Sequence, residues 1–149
     1  MKTFGIKDPS LSYYTRTGVY LIAFSGESIV LVQTPKGYFL PGGGLHPGET
    51  HEECIRRECL EELGYAVSIK GLLTEAEMYT IHPVIGPFHP VQYYYTGTLT
   101  EKITVPAEPD HVMVLLPRAV LDPGYPEYQK YTEKFVLPCQ LWAVEKVLE

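Results

Sequence analysis

Two β-rich apolar runs, residues 18–24 and 29–33, open the patterned part of the chain. The stretch 25–28 between them, Ser-Gly-Glu-Ser, has the length and glycine of a hairpin loop. Residues 38–40 form a short extended piece. Pro41 and Gly42, Gly43 and Gly44 should end it, because proline and glycine suit neither a helix interior nor a central strand. A helix over 51–63 is the best-defined element. Thr50 caps it, Glu53 three residues later completes a capping box, and Gly64 stands where a left-handed C-terminal residue belongs. Further strands are predicted at 66–80, 91–99 and 111–116. Residues 82–90 carry three prolines and a glycine, so they read as a loop, either closing over a ligand or connecting passively. A last helix starts at Pro138 and runs through the periodic Leu141, Val144, Val147 and Leu148. Residues 1–16 are a polar lead-in with room for one short strand. Strands dominate, with one helix mid-chain and one at the end: a mixed α/β class. No repeat or linker divides the chain, so residues 1–149 are expected to form a single domain.

The mid-chain helix carries an unusual charge pattern. Glu58, Glu61 and Glu62 stand three and four residues apart and share one patch, where like charges each cost a few tenths of a kcal/mol, roughly. Their place towards the C-terminal end also opposes the macrodipole. A solvated acidic face is the plain alternative. Against it, Arg57 lies four residues from both Glu53 and Glu61 and can lock carboxylates in place. The glycine run just upstream also lets backbone approach a ligand closely. Clustered carboxylates with a backbone carbonyl make a hard-oxygen site suited to Mg²⁺, with Mn²⁺ as the alternative.

Charge sharpens this reading. The 149 residues hold 12 Lys and Arg against 18 Asp and Glu, a formal charge of -6. Such a chain is not expected to bind a nucleic-acid polymer by counterion release, and an anionic substrate needs a cation or a local basic pocket. A magnesium–phosphate site meets both conditions. No apolar run is long enough to span a membrane, and no secretion signal is recognisable at the N-terminus. Three cysteines without framework spacing suggest reduced thiols and a cytoplasmic protein. A disulfide scaffold, a membrane protein, a coiled coil and a disordered chain are thereby excluded.

Gly43, five residues, Glu49, seven residues, then Arg57-Glu58-Cys59-Leu60-Glu61-Glu62-Leu63-Gly64-Tyr65 resembles the signature box of the Nudix hydrolases. Every fixed polar and glycine position is present at the family's spacing. Cys59 and Tyr65 depart from the bulky aliphatic residues the family places there, but these are packing positions. The resemblance implies an α/β/α sandwich with a mixed β-sheet, and Mg²⁺-dependent hydrolysis of a nucleoside diphosphate linked to another moiety. A nucleoside triphosphate, with an oxidised base as one option, is the favoured small-molecule substrate. The alternatives are a nucleotide sugar, a dinucleoside polyphosphate, or a non-catalytic nucleotide sensor of the same fold. By likeness, Glu58, Glu61 and Glu62 are carboxylate metal ligands, Gly42 or Gly43 adds a carbonyl, and Glu49 and Arg57 form a supporting pair in the catalytic set. The proton acceptor is a box glutamate or one of Glu108, Asp110 and His111, each of which is equally explained as a turn residue. The oligomeric state, monomer or homodimer, is left open.

Other residues carry weaker signals. His46, His51 and Cys54 could form a softer metal site, yet their spacing matches no zinc pattern. Cys139 reads as a small core residue. In the run of Tyr93, Tyr94 and Tyr95, the first and third share one side of their strand. There they either stack on a substrate base or, more commonly for tyrosine, pack a sheet.

Overall fold

Strand β2 organises the molecule because both of its faces are apolar. The computed structural model describes residues 1–149. It contains β1 (Lys2–Phe4), β2 (Tyr14–Ser25), β3 (Ser28–Thr34), β4 (Gly37–Phe39), β5 (Gly42–Gly44) and α1 (His51–Leu63). After these come β6 (Tyr65–Met78), β7 (Thr80–His82), β8 (Gly86–Lys102), β9 (Val112–Pro117), α2 (Tyr128–Thr132) and α3 (Pro138–Leu148). Val19, Leu21 and Ala23 of β2 face one buried cluster, and Ile22 faces another. The sheet runs β1-β6-β8-β2-β3-β4, with β5 on β2, β7 on β8 and β9 on β3. It is mixed: β1 with β6 and β2 with β8 are parallel, and the other pairs are antiparallel.

A helix covers each face. Cys54, Ile55, Cys59 and Leu63 of α1 pack on Val19, Leu21, Val30 and Val32. Cys139, Ala143 and Val144 of α3 pack on Ile22, Leu31, Leu40 and Tyr94. The result is the α/β/α sandwich expected from the resemblance, and Cys59 is a fully buried packing residue. The capping box of α1 is present: Glu53 N–H donates to Thr50 Oγ1 (3.1 Å), and Thr50 N–H donates to Glu53 Oε1 (2.9 Å). Gly64 ends the helix at φ 76°, with its N–H shared between the Cys59 and Leu60 carbonyls.

Three expectations need correction. Residues 82–90 are not a loop, because β7 and the start of β8 form a hairpin whose turn is closed by Val84 and Ile85 N–H donating to His82 Nδ1 (3.1 Å each). The prolines fit because Pro83 sits in the turn and the other two sit where one side of β8 has no partner. Pro87 precedes the pairing with β2, and Pro90 falls at the break between the β7 and β6 registers. The glycine run does not simply end the chain's extended path, since Gly42–Gly44 pair with Tyr20, Val19 and Gly18. Pro41 is tolerated beside them because only its carbonyl is used, accepting from Leu21 N–H (2.9 Å). Finally, β2 begins at Tyr14 and not at residue 18, because it pairs with Phe88 onward, while β1 on the sheet edge is the short strand for which the lead-in had room. The turn Arg118–Leu121 and helix α2 were not foreseen.

Candidate active site

Strand β5 lies between β2 and the C-terminal half of α1, and its register decides which backbone groups are free. Leu45 N–H donates to the Thr17 carbonyl and Leu21 N–H to Pro41, with Gly43 opposite Val19. By the alternation of an antiparallel ladder, Gly43 exchanges bonds with β2 while Gly42 and Gly44 turn their groups away. Gly42 N–H then donates to Glu62 Oε1 (2.9 Å), and the Gly44 carbonyl accepts from Arg57 Nη2 (3.1 Å). Of the two candidates, Gly42 therefore has the carbonyl on the open side. The role of Gly43 is steric: a Cβ there would lie 2.7 Å from Glu58 Oε1. A Cβ on Gly44 would meet the Arg16 guanidinium, 2.8 Å from its Nε.

The three box glutamates share a side of α1 but occupy different environments. Glu62 is buried, and burial, added to the nearby negative charge of Glu58, Glu108 and Glu61, pushes its carboxyl up to about 8 against the Gly42 hydrogen bond. Glu58 is raised by burial and partly relieved by Arg57. Glu61 stands out in solvent. Arg57 ties the group together. Its Nε and Nη2 grip Glu49 Oε2 and Oε1 (2.7 and 3.0 Å), and Nη1 reaches Glu58 Oε1 (2.8 Å) and Glu61 Oε2 (3.5 Å). This planar fork holds the Glu49 carboxyl down to about 2. Glu53, the other partner that helix spacing allows, is engaged in the cap instead.

Glu108, Asp110 and His111 come to this patch from the far end of the chain. One ligand atom from each lies within 4.8 Å of the others. His111 Nδ1 is buried, 3.1 Å from Glu108 Oε2 and 3.7 Å from Glu62 Oε2, yet aligned with neither for a hydrogen bond. A cavity of about 380 Å³ opens here, walled by Glu62, Gly42, His111, Asp110, Tyr20 and Lys36. The Glu58, Glu61 and Glu62 carboxylates and the free Gly42 carbonyl form a hard-oxygen donor set that fits a divalent cation, with the orphaned His111 Nδ1 beside it.

Other candidates lie elsewhere. Tyr93 and Tyr95 share the α1 side of the sheet, as alternation requires, and neither lines this cavity. His51 Nδ1 bonds Tyr95 Oη at 2.8 Å, and its ring packs 4.6 Å from that of Tyr93. With His51 so engaged and Cys54 a buried thiol pushed up to about 12 by burial, His46, His51 and Cys54 do not make a soft metal site. Arg16 and Tyr20 are missed by sequence reasoning. Extending the alternation of β2 backwards through Gly18 would have put both on one face.

A family model, the NUDIX domain, matches residues 13–135. The chain belongs to the NUDIX hydrolase family. Among solved structures, a NUDIX hydrolase from Nitrosomonas europaea aligns with a TM-score of 0.70 at 17% identity, covering 91% of this chain and 89% of that one. The MutT NUDIX hydrolase from Burkholderia pseudomallei aligns with a TM-score of 0.66 at 24% identity, covering 90% and 98%. At these identities the likeness concerns the fold. A curated relative, the nucleoside triphosphatase NudI of Enterobacter sp. (strain 638), is 54% identical over 38 residues, 26% of this NUDIX chain. The match spans about a quarter, 27%, of that relative's length.

Proposed function

We propose that this NUDIX protein hydrolyses a phosphoanhydride bond of a nucleoside triphosphate in a reaction that requires Mg²⁺, with Mn²⁺ able to substitute. The observation that carries this reading is the buried Glu62 carboxyl, set against the N–H of Gly42 and beside Glu58, Glu108 and the unpaired Nδ1 of His111. Glu58, Glu61, Glu62 and the Gly42 carbonyl would hold the ion. Held there, such an ion would supply the positive charge that offsets the negative charge developing on the phosphate during hydrolysis. Arg57 has its guanidinium taken up by Glu49, Glu58, Glu61 and Gly44, so its part is to orient ligands and not to grip substrate. Glu108, Asp110, His111 or a box glutamate would accept the proton from the attacking water. Tyr93 and Tyr95 we read as sheet packing and as support for His51.

The nucleoside triphosphatase name of the partial relative supports the substrate class. The two buried clusters share one sheet, which supports one domain over 1–149. No helix is long and apolar enough to cross a membrane, and the three buried free thiols suit a reducing compartment such as the cytoplasm. The test is a panel of nucleoside triphosphates, nucleotide sugars and dinucleoside polyphosphates with Mg²⁺, products identified by mass. Triphosphates should be cleaved, and chelator should stop the reaction. Turnover that survives exhaustive chelation removes the metal from the mechanism, and an inert triphosphate series removes the substrate class.

A further inference from the structure

A second cavity, of about 470 Å³, lies on the α3 side of the sheet and meets the active site at Gly44. Its walls are mostly apolar, with Met78, Ile81, Phe88 and Leu137 among them. The β7–β8 hairpin that the proline-rich sequence disguises forms one flank, and the start of α3 forms the other. The Phe88 ring is held in a near-parallel stack with Tyr14 (centroids 6.1 Å, 12°) and edge-on to His82.

Gln92 is the buried polar group in a wall that Arg16, Thr80 and His82 also line. It is only 4% exposed, and what remains exposed opens onto this cavity. Its orientation follows from a chain of fixed donors. The backbone N–H of Leu40 donates to Gln140 Oε1 (2.7 Å), which turns Gln140 Nε2 towards Gln92 Oε1 (3.4 Å). Tyr94 Oη donates to the same oxygen at 2.6 Å. Gln92 Oε1 is thus fully engaged, and its Nε2 has no partner in the protein: a pure donor on a buried wall.

Arg16 lines the same cavity where it meets Gly44. Its side chain is exposed and pairs with no carboxylate, although acids outnumber bases in this chain. A free guanidinium beside a carboxylate-rich site is suited to polyphosphate oxygens. The ordering of chemistry is then carboxylate cluster, guanidinium, aromatic and apolar slot, buried amide donor. That sequence matches a metal-bound phosphate chain followed by a flat base.

We propose that this cavity is the base subsite of the nucleotide, that Gln92 Nε2 selects bases presenting a carbonyl oxygen, and that Arg16 holds the phosphate chain at its mouth. A keto base such as guanine, uracil or thymine offers a carbonyl acceptor to Nε2, whereas adenine turns an amino donor to the equivalent edge. The inference rests on the nucleotide reading above and deepens it.

The experiment measures binding of GMP, UMP and AMP by calorimetry with Mg²⁺, alongside kcat/KM for GTP, UTP and ATP. The wild type should favour the keto nucleotides over adenine by about tenfold, the scale of one well-placed hydrogen bond. Gln92→Met should bring the two classes within about twofold of each other. Because Gln92 also accepts from Tyr94 and Gln140, its fold is checked by thermal melting. The wild-type preference and the exposed Arg16→Gln supply tests that do not depend on it. Arg16→Gln should raise KM for every triphosphate by about tenfold without altering base preference, since a phosphate contact carries no base information. A wild type indifferent to the base, or a preference that survives in folded Gln92→Met, overturns the assignment of Gln92. An unchanged KM in Arg16→Gln overturns that of Arg16. Base-selective binding without turnover would overturn hydrolysis and leave the subsite standing, turnover without selectivity would do the reverse, and neither binding nor turnover would overturn both.

Discussion

Glu62 concentrates the tension in this molecule: burial favours its protonated carboxyl at the place where the proposed cation would need it ionised. Its folded value of about 8 stands above the ordinary 4.5, so the folded form holds a proton that the unfolded chain gives up first. Stability from this group is complete below about pH 4.5, declines as pH rises towards 8, and levels off above. At about 1.4 kcal/mol per pKa unit the full effect is on the order of a few kcal/mol. In chelator, the melting temperature of Glu62→Gln relative to wild type should therefore climb across this window and plateau above it. A difference that stays flat with pH would mean that Glu62 is not buried as described. Arg57 offers a separate test. Lys cannot reproduce a fork that holds Glu49 through two nitrogens while reaching Glu58 through a third. Arg57→Lys should lower kcat about 10–100-fold, the usual cost of losing a ligand-orienting group. Affinity for a non-hydrolysable nucleotide, read by calorimetry at constant Mg²⁺, should stay within a few-fold. A large affinity loss at unchanged kcat would make Arg57 a substrate contact.

Among the elements, β5 shows how three adjacent glycines come to do different things. Gly42 has φ 142°, and a Cβ there would collide with the Val19 carbonyl and lie 2.6 Å from Tyr20 Cα, so Gly42→Ala should destabilise the fold itself. Gly43 has no positive φ, and the nearest atoms to a Cβ there would be those of the Glu58 carboxylate. Gly43→Ala should keep most of the melting temperature while reducing turnover, and parallel melting and kinetic assays on the two variants separate the roles. Loss of fold in both would assign both glycines to packing. The helix α1 is legible in the sequence down to its caps because Thr50, Glu53 and Gly64 act within a few residues of one another. Strand β5 is not legible, because what permits it is the partner strand β2. The β7–β8 hairpin is hidden for a related reason: a proline is costly only where a neighbour awaits its N–H, and local composition does not reveal neighbours.

For the whole molecule, the same distinction between near and far governs the site. The face shared by Glu58, Glu61 and Glu62 follows from helix period, whereas His111 meets Glu62, and Arg16 meets Gly44, only through the closed sheet. A cation held by the acidic patch, as proposed, would add to the stability of the fold. A ligand at a hundred times its Kd adds about 2.7 kcal/mol, which for a domain of this size raises Tm by roughly 5–10 °C. Mg²⁺ should produce such a shift in wild type and little in Glu62→Gln, measured by scanning calorimetry against chelator. No shift in wild type would return the patch to a solvated acidic face. The end of α1 adds a last point. Its terminal carbonyls are met by N–H groups from the following chain: Ile103 and Thr104 donate to Gly64, and Ala107 donates to Glu61. These bonds pin the chain immediately before Glu108, and β9 pins it again from Val112. The segment bearing Glu108, Asp110 and His111 is thus a short bridge between two fixed abutments. Such a bridge tolerates a change of side chain far better than a change of span, so diversification here, in evolution or by grafting, should proceed by substitution at constant length.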